Sequence, residues 1–495
     1  EHGATDEAYV RDHVSGFKAA HAELTKEDQS LAAIAADCGL DVAALETFYT
    51  IFAATPQTVS LFSMGANQSA QGVAKGASII NCHLATGRIG KPGACPFSIT
   101  GQPNAMGGRE SGGMATTLAA HMDFDDAARE RLQRFWGAPV IAPKPGLMAV
   151  DMFDAIHDGR IKAVWIMATN PAVSLPNANK IHEALAKCPN VIVSECAADT
   201  DTLKYAHVKL PAQGWSEKDG TVTNSERCIS RQRSLFAPAG EARADWRIVA
   251  EVAAAMGHTD GFNWRSSADV FREYAALTNF ENNGARFLQL GPLADLSDAH
   301  YNAMKPVQWP VSAKGGQKRL FADGVFQTSY GKARINLYPA KGPARRTNKK
   351  FPLSLNTGRI RDQWHTMTRT GLAPELCRHE PEPFVEVHPS DAAAYGLTNG
   401  RLARVTTAHG EAIVIARITD RQRPCALFMP MHWSRAFAEH GACNPLVDGA
   451  VDPQSGQPEF KHTPARIKAY AETWRGFLIS RDPVSPPPGP LGAGG

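Results

Sequence analysis

Near the start of the chain, apolar residues recur at helical spacing. Leu31, Ile34, Ala35 and Cys38 share one face, and Gly39 is placed to end that helix. Asp41 can cap a second helix carrying Val42, Leu45 and Tyr49 inward. Thr58 to Phe62 is a short β-rich run that opens into the polar loop Met64-Gly65-Ala66-Asn67-Gln68, and a helix is predicted near Gln71 to Asn81. The loop therefore sits at the carboxyl end of a strand, the edge where open α/β sheets bind ligands.

The same logic recurs downstream. Ala163 to Met167 reads as a strand, Asn179 to Lys187 as a crossover helix and Val191 to Ser194 as a second strand, which makes a βαβ unit. Its strands end in Thr169-Asn170 and Ser194-Glu195. Those groups can serve a nucleotide's base or ribose hydroxyls, or satisfy local backbone. No G-x-G-x-x-G accompanies them, which argues against a nicotinamide site. From Phe351 the pattern shortens to strand lengths at Phe384 to Val387, Leu402 to Thr407, Ala412 to Arg417 and Ala426 to Met429, with His409-Gly410 turning a hairpin. This predicts a small β-barrel.

The expected fold class is α/β, with two αβα Rossmann-like domains followed by the barrel. The boundaries expected are 1–125 for the first domain, 126–275 for the second, 276–345 for a mixed connection with a basic linker at 341–350, 346–470 for the barrel and 471–495 for a Pro/Gly-rich tail.

Charge changes this picture little. The net formal charge is +3, so anion chemistry must come from local basic positions rather than from a bulk field. No apolar run is long enough to cross a bilayer. The 9 cysteines are dispersed with no C-x-x-C pair, so no zinc or iron-sulfur set is visible, and an odd, scattered count suits a reducing compartment. The chain opens on Glu1 rather than Met, and a true start upstream of it is expected.

The clearest candidate chemistry lies in Gly101-Gln102-Pro103-Asn104-Ala105-Met106-Gly107-Gly108-Arg109-Glu110. Glycines let backbone approach a ligand closely, and the planar guanidinium of Arg109 matches a planar oxyanion such as nitrate or a carboxylate. The plainer reading of Arg109 is a surface salt bridge. Thr357-Gly358-Arg359-Ile360-Arg361-Asp362-Gln363-Trp364-His365-Thr366 offers phosphate donors and a stacking face just after a strand, which points to cofactor binding. Met64, Asn67 and Gln68 could instead cap a helix, and Lys218, Asp245 and Lys461 could be solvated charges. Met431-His432-Trp433 and Asn444 could be core and loop residues.

Together with Ser63 to Gln68, the Gly101 to Glu110 loop resembles the catalytic subunit of assimilatory nitrate reductases, members of the molybdopterin guanine dinucleotide superfamily. The resemblance continues through Ala168-Thr169-Asn170-Pro171, Trp215 to Gly220, Asn224 to Arg227 and Asn356 to Thr366, covering nearly all of the chain except its Pro-rich end. It implies a double-psi barrel and a bis-molybdopterin guanine dinucleotide cofactor with molybdenum. Reduction of nitrate to nitrite by oxygen-atom transfer follows from it, in the cytoplasm and without nucleic acid or membrane. Arg109 and Gln102 would then hold nitrate. Met64, Gly65, Asn67, Gln68, Asn170, Ser194, Glu195, Lys218, Asp245, Thr357, Gly358, Arg359, Gln363, Trp364, His365, Thr366, His432, Trp433, Asn444 and Lys461 would hold the cofactor. Relatives often carry Ser-Asp where this chain has Ser194-Glu195, and the spacing from Trp433 to Asn444 departs from periplasmic relatives.

The family's 4Fe-4S cluster and its molybdenum-ligating Cys match no residue of this chain, and both are expected in a missing N-terminal part. The electron donor implied is a flavoprotein subunit, ferredoxin or flavodoxin. A formate dehydrogenase of the same superfamily and a non-catalytic scaffold homologue are the competing readings. The Gln102-Pro103-Asn104 loop differs from the Gly-Gln-Asn-Asn of formate enzymes, and the surviving polar set argues against decay into a scaffold.

Overall fold

The computed structural model describes residues 3–26, 30–472 and 476, so nearly all of the expected tail lies outside the described residues. The first helices form as their caps dictate. The Ser30 side chain accepts from the Ala33 amide at the start of Leu31–Cys38, and Gly39 ends that helix at φ 62°. The Asp41 carboxylate accepts from the Ala43 amide at the start of Val42–Ala54. The inward face expected of this second helix is realised only at Leu45, because Val42 stays 42% exposed and Tyr49 is half-buried. The reason is the sheet nearby, where strand Val59–Phe62 pairs in parallel with Cys95–Ser98 alone, leaving little surface to cover. The helix joining these strands, Gly72–Ala85, runs past the expected Asn81.

A three-stranded parallel sheet follows, ordered Ala163–Met167, Asn190–Glu195 and Val208–Pro211. Helices Ala149–His157 and Ala178–Lys187 pack on it through Phe153, Ile156, Ile181 and Leu185 against Val164, Ile166, Val191 and Val193. These strands are nearly continuous apolar runs, as buried parallel strands require.

Strands Gly220–Thr223, Cys228–Gln232 and Val307–Gln308 make an antiparallel sheet. Helix Ser267–Asn279 shares its core, which gathers Ile229, Phe271, Leu288, Leu290, Tyr301 and Trp309. The stretch around 288–311, which reads as mixed in sequence, thus belongs to the same packing unit as residues 229–275. Val14–Ser15 pairs with Ala333–Arg334 and ties the start of the chain to a separate small core with Leu84, Phe326 and Ile335.

The C-terminal part is a closed six-stranded barrel in the order Leu353–Gly358, Ala426–Pro430, Phe384–Val387, Glu411–Ile418, Leu402–Thr406, Thr463–Ala469. Two pairs are parallel, 353–358 with 426–430 and 384–387 with 411–418, and the rest antiparallel. Alternate residues such as Leu353, Leu355, Val385, Val387, Val405, Val414 and Leu427 fill the interior.

Candidate functional site

Two loops leave the carboxyl ends of the parallel pair side by side. The Ile99 amide donates to the Phe62 carbonyl at 2.8 Å, and the Ser63 hydroxyl donates to the Ile99 carbonyl. The short helix Met64–Asn67 and the Gly101-Gln102 turn are therefore adjacent. Gly72 is required here, since a Cβ would lie 2.4 Å from the Asn67 carbonyl oxygen.

The barrel segment after Leu353–Gly358 meets these loops. A Cβ on Gly101 would sit 2.5 Å from Nη1 of Arg359, so the guanidinium lies against bare backbone of the loop that carries Gln102. The Lys461 amide donates to the Gln68 carbonyl at 3.3 Å, and its ammonium donates to the Thr357 carbonyl. Asn170, at the end of its strand, donates from Nδ2 to the Thr366 hydroxyl at 3.1 Å, while its Oδ1 accepts from the amide and hydroxyl of Thr202. Elements far apart in sequence thus bring Gln68, Gly101, Asn170, Thr357, Arg359, Thr366 and Lys461 together.

Electrostatically this junction is cationic and partly buried. Burial lowers the pKa of Arg359 and of Lys461, and among the described residues neither has a carboxylate partner. Arg359 lies over the Trp364 ring at 5.2 Å, with its Nε buried and unpartnered. His432 is fully buried, accepts from the Ile360 amide at Nε2 and faces the His365 carbonyl at Nδ1, 2.8 Å away. Those partners fix a neutral tautomer, and burial pushes its pKa down to about 4. His365 is lowered too, by burial and then by the Arg359 charge. Gln363 Oε1 and Asn444 Oδ1 are buried without partners. Cations without carboxylate partners among the described residues, orphaned amide oxygens and a glycine-lined approach make a set of donors and acceptors suited to a phosphate-bearing, heterocyclic ligand.

Other expected cofactor residues stand elsewhere or are already engaged. Ser194 is fully buried and accepts from the Trp165 indole at 2.8 Å. Glu195 turns back on itself, accepting the amides of Cys196 and Ala197. Lys218 and Asp245 pair with each other at 2.5 Å and are flanked by residues that line a polar cavity of about 620 Å³. Trp433 lies in a core cluster with Met367 and Ala438, and Asn444 donates to the Val173 carbonyl at 2.6 Å. Met64, Asn67 and Gln68 are half-buried, and Gly65, Gln102 and Trp364 are exposed. Arg109 lies in the last turn of the helix Ala105–Glu110, exposed and without a carboxylate partner among the described residues.

Residues 14–255 match the family model described as molybdopterin oxidoreductase, and residues 353–464 match the molydopterin dinucleotide binding domain. The chain belongs to the molybdopterin oxidoreductases. A nitrate reductase of Klebsiella oxytoca is 51% identical over 93% of this chain and 53% of its own length. The assimilatory nitrate reductase catalytic subunit of Bacillus subtilis is 30% identical over 93% of this chain and 64% of its own. The chain thus spans roughly half to two thirds of the relatives it matches. In fold it is similar to acetylene hydratase from Pelobacter acetylenicus, with a TM-score of 0.69 at 16% identity over 94% of this chain and 68% of that one.

The family assignment carries a molybdenum-pterin cofactor with it, and the cationic junction has suitable chemistry to hold one. Among the described residues no cluster of His, Cys, Asp and Glu could hold a metal ion directly, and no helix is long and apolar enough to cross a membrane. Sequence reading missed the residues that dock barrel to loops. Buried Glu459 accepts the Ala70 and Ala344 amides, and Asp452 accepts the Val73 amide at the start of Gly72–Ala85. A lone carboxylate among surface charges gives no sequence signal for such a distant partner.

Proposed function

We propose that this molybdopterin oxidoreductase reduces nitrate to nitrite, in nitrate assimilation, with a bis-molybdopterin guanine dinucleotide cofactor. The observation that carries the reading is that Arg109, Arg359 and Lys461 lack carboxylate partners among the described residues, so that anions are the complement missing from both the Gly101–Arg109 loop and the barrel junction. Nitrate rather than formate is favoured by the Gln102-Pro103-Asn104 and Gly108-Arg109-Glu110 sequence and by the likeness to nitrate reductases.

In this reading Arg359 and Lys461 neutralise cofactor phosphates, Trp364 offers a stacking face, and Gln363 and Asn444 turn their orphaned oxygens to ring or ribose N–H and O–H groups. Met64, Gly65, Asn67 and Gln68 line the other side, Lys218, Asp245 and Glu195 serve the dinucleotide arms, and Ser194 and Asn170, already bonded to Trp165 and to Thr366 and Thr202, hold the strand ends in place behind them. When bound, the molybdenum centre supplies the two-electron chemistry by which nitrate loses one oxygen. Arg109 clamps the planar anion with its fork of N–H donors, and Gln102 adds an amide donor, so that one oxygen is held in a fixed direction. The neutral state of His432 keeps a further positive charge out of the site while its ring nitrogens fix Ile360 and His365.

Electron supply calls for a 4Fe-4S cluster, for which no ligand set lies among the described residues, and for a separate electron donor, a flavoprotein subunit, ferredoxin or flavodoxin. A cytoplasmic setting is supported by nine free cysteines. Dye-linked turnover of the natural protein with nitrate and with formate tests the substrate, and analysis of released nucleotide and of molybdenum tests the cofactor. Turnover with formate but not nitrate would overturn the reading.

A further inference from the structure

Arg109 is exposed and has no carboxylate partner among the described residues, so the helix that carries it, Ala105–Glu110, sets the direction in which it projects. Packing alone holds that helix loosely. Gly107 and Gly108 have no side chains to pack, and Met106 is the member that reaches the core of Phe271 and Trp309. Behind the helix lies a cavity of about 230 Å³, lined by Asn104, Gly107 and Glu110 on one side and by Thr221, Phe271 and Tyr274 on the other. Space on that side leaves the helix free to shift unless directional bonds span it.

Such bonds are present, and they converge on one residue. Thr223, buried at the end of strand Gly220–Thr223, donates from its backbone amide to Oδ1 of Asn104 at 2.8 Å and from its hydroxyl to Oε2 of Glu110 at 2.9 Å. Asn104 immediately precedes the helix and Glu110 closes it, so one threonine fastens both ends. The Asn104 side chain forgoes the capping bond that its position allows. A Cβ on Gly107 would collide with that same Oδ1, so glycine at 107 lets the amide oxygen pass beneath the helix. Glu110, 1% exposed, takes two further donors, the Trp309 indole on Oε1 at 2.6 Å and the Tyr274 hydroxyl on Oε2 at 2.7 Å. A buried carboxylate with three donors is held in one place, because any shift leaves its charge without compensation. Successive side chains on a helix project about 100° apart, so fixing Glu110 fixes the rotation of the helix and with it the side from which Arg109 leaves.

We propose that Glu110 and Thr223 are positioning residues for nitrate reduction, their bond aiming Arg109 so that its guanidinium meets the anion in a fixed direction. Both act through Arg109 and are buried away from the anion. With the bond broken, the helix relaxes towards the cavity, and the Arg109 charge remains while its direction spreads. A cation of uncertain direction still attracts nitrate, whereas holding one oxygen towards the reacting centre needs alignment. Loss of the bond therefore weakens turnover more than binding.

The inference rests on Arg109 being the nitrate contact, and the test separates the two. In the natural cofactor-loaded protein, nitrate kinetics with a dye donor and calorimetric titration of the oxidised protein with nitrate are compared for Thr223→Val, Thr223→Ser, Glu110→Gln, Arg109→Ala and the double variant Thr223→Val, Arg109→Ala. Valine keeps the shape and the backbone amide and deletes only the hydroxyl, which serine retains. Thr223→Val and Glu110→Gln should each lower kcat about tenfold while the Kd for nitrate moves by about twofold or less. Thr223→Ser should keep most of the parent kcat, and Thr223→Val should cost nothing further once Arg109 is replaced by alanine. Released nucleotide and molybdenum per chain should match the parent throughout. A loss that persists undiminished in the Arg109→Ala background, that serine shares, or that follows a fall in cofactor content makes the bond merely structural and overturns the positioning role. Unchanged kcat in both Thr223→Val and Glu110→Gln, beside a loss in Arg109→Ala, overturns it too, and in each case the nitrate reading stands. Parent-like turnover in Arg109→Ala sinks the nitrate reading itself. Should Glu110→Gln fail to fold, Thr223→Val and its cycle with Arg109→Ala decide.

Discussion

At the scale of the residue, protonation and pairing state matter more than identity. Arg109 has no carboxylate partner to lose among the described residues, so Arg109→Ala should leave thermal stability unchanged while lowering kcat/KM for nitrate by at least tenfold. Arg109→Lys should recover only part of it, because an ammonium lacks the planar fork. His432 behaves in the opposite way. Its pKa in the folded chain is about 4, below the unfolded value near 6.5, so the unfolded chain binds more protons between those limits. The stability held by the neutral ring is fully present above about pH 6.5 and is lost as pH falls towards 4, on the order of 3 kcal/mol in all. Melting temperature followed from pH 7 to 4.5 should therefore drop less steeply in His432→Gln than in the parent. Arg109 could be picked out in sequence from its glycine neighbours, whereas the neutrality of His432 could not, since it arises from the Ile360 amide and the His365 carbonyl around it.

At the scale of the element, local signals and long-range packing divide the fold between them. The helix-ending Gly39, the capping Asp41, the βαβ pattern over 163–195 and the short strands after 351 are written in neighbouring residues and emerge where expected. The core shared by residues 229–311 is not, because Trp309 and Ile229 meet only after the chain has folded back. The site divides likewise. Thr357–Thr366 announces itself by composition, while the contacts of Gln68 with Lys461 and of Gly101 with Arg359 join distant segments. Gly72 sets propensity against sterics. Alanine there gains about 1 kcal/mol of helix propensity but forces a Cβ against the Asn67 carbonyl, which costs about 1–3 kcal/mol. Gly72→Ala should be net destabilising in denaturant melts and should weaken cofactor retention through the displaced Met64–Gln68 turn.

At the scale of the whole molecule, the barrel is docked by polar bonds rather than by a broad apolar seam. Glu459 and Asp452 hold the loop and helix start at Ala70 and Val73, and Asn170 and Asn444 hold Thr366 and Val173. A double variant Glu459→Gln, Asp452→Asn keeps each acceptor but removes its charge. It should shift the barrel's hydrogen exchange little while raising protease sensitivity around 60–75 and releasing cofactor faster. The barrel closes on itself and offers no free strand edge. The pair Val59–Phe62 and Cys95–Ser98 does the reverse, with both outer edges unpaired in the sheet and Val59, Leu61, Ile80 and Ile99 exposed nearby. Isolated as it stands, this polypeptide should therefore bind a hydrophobicity-reporting dye and turn turbid with rising concentration, and Leu61→Lys should delay that onset without lowering the melting temperature of the barrel.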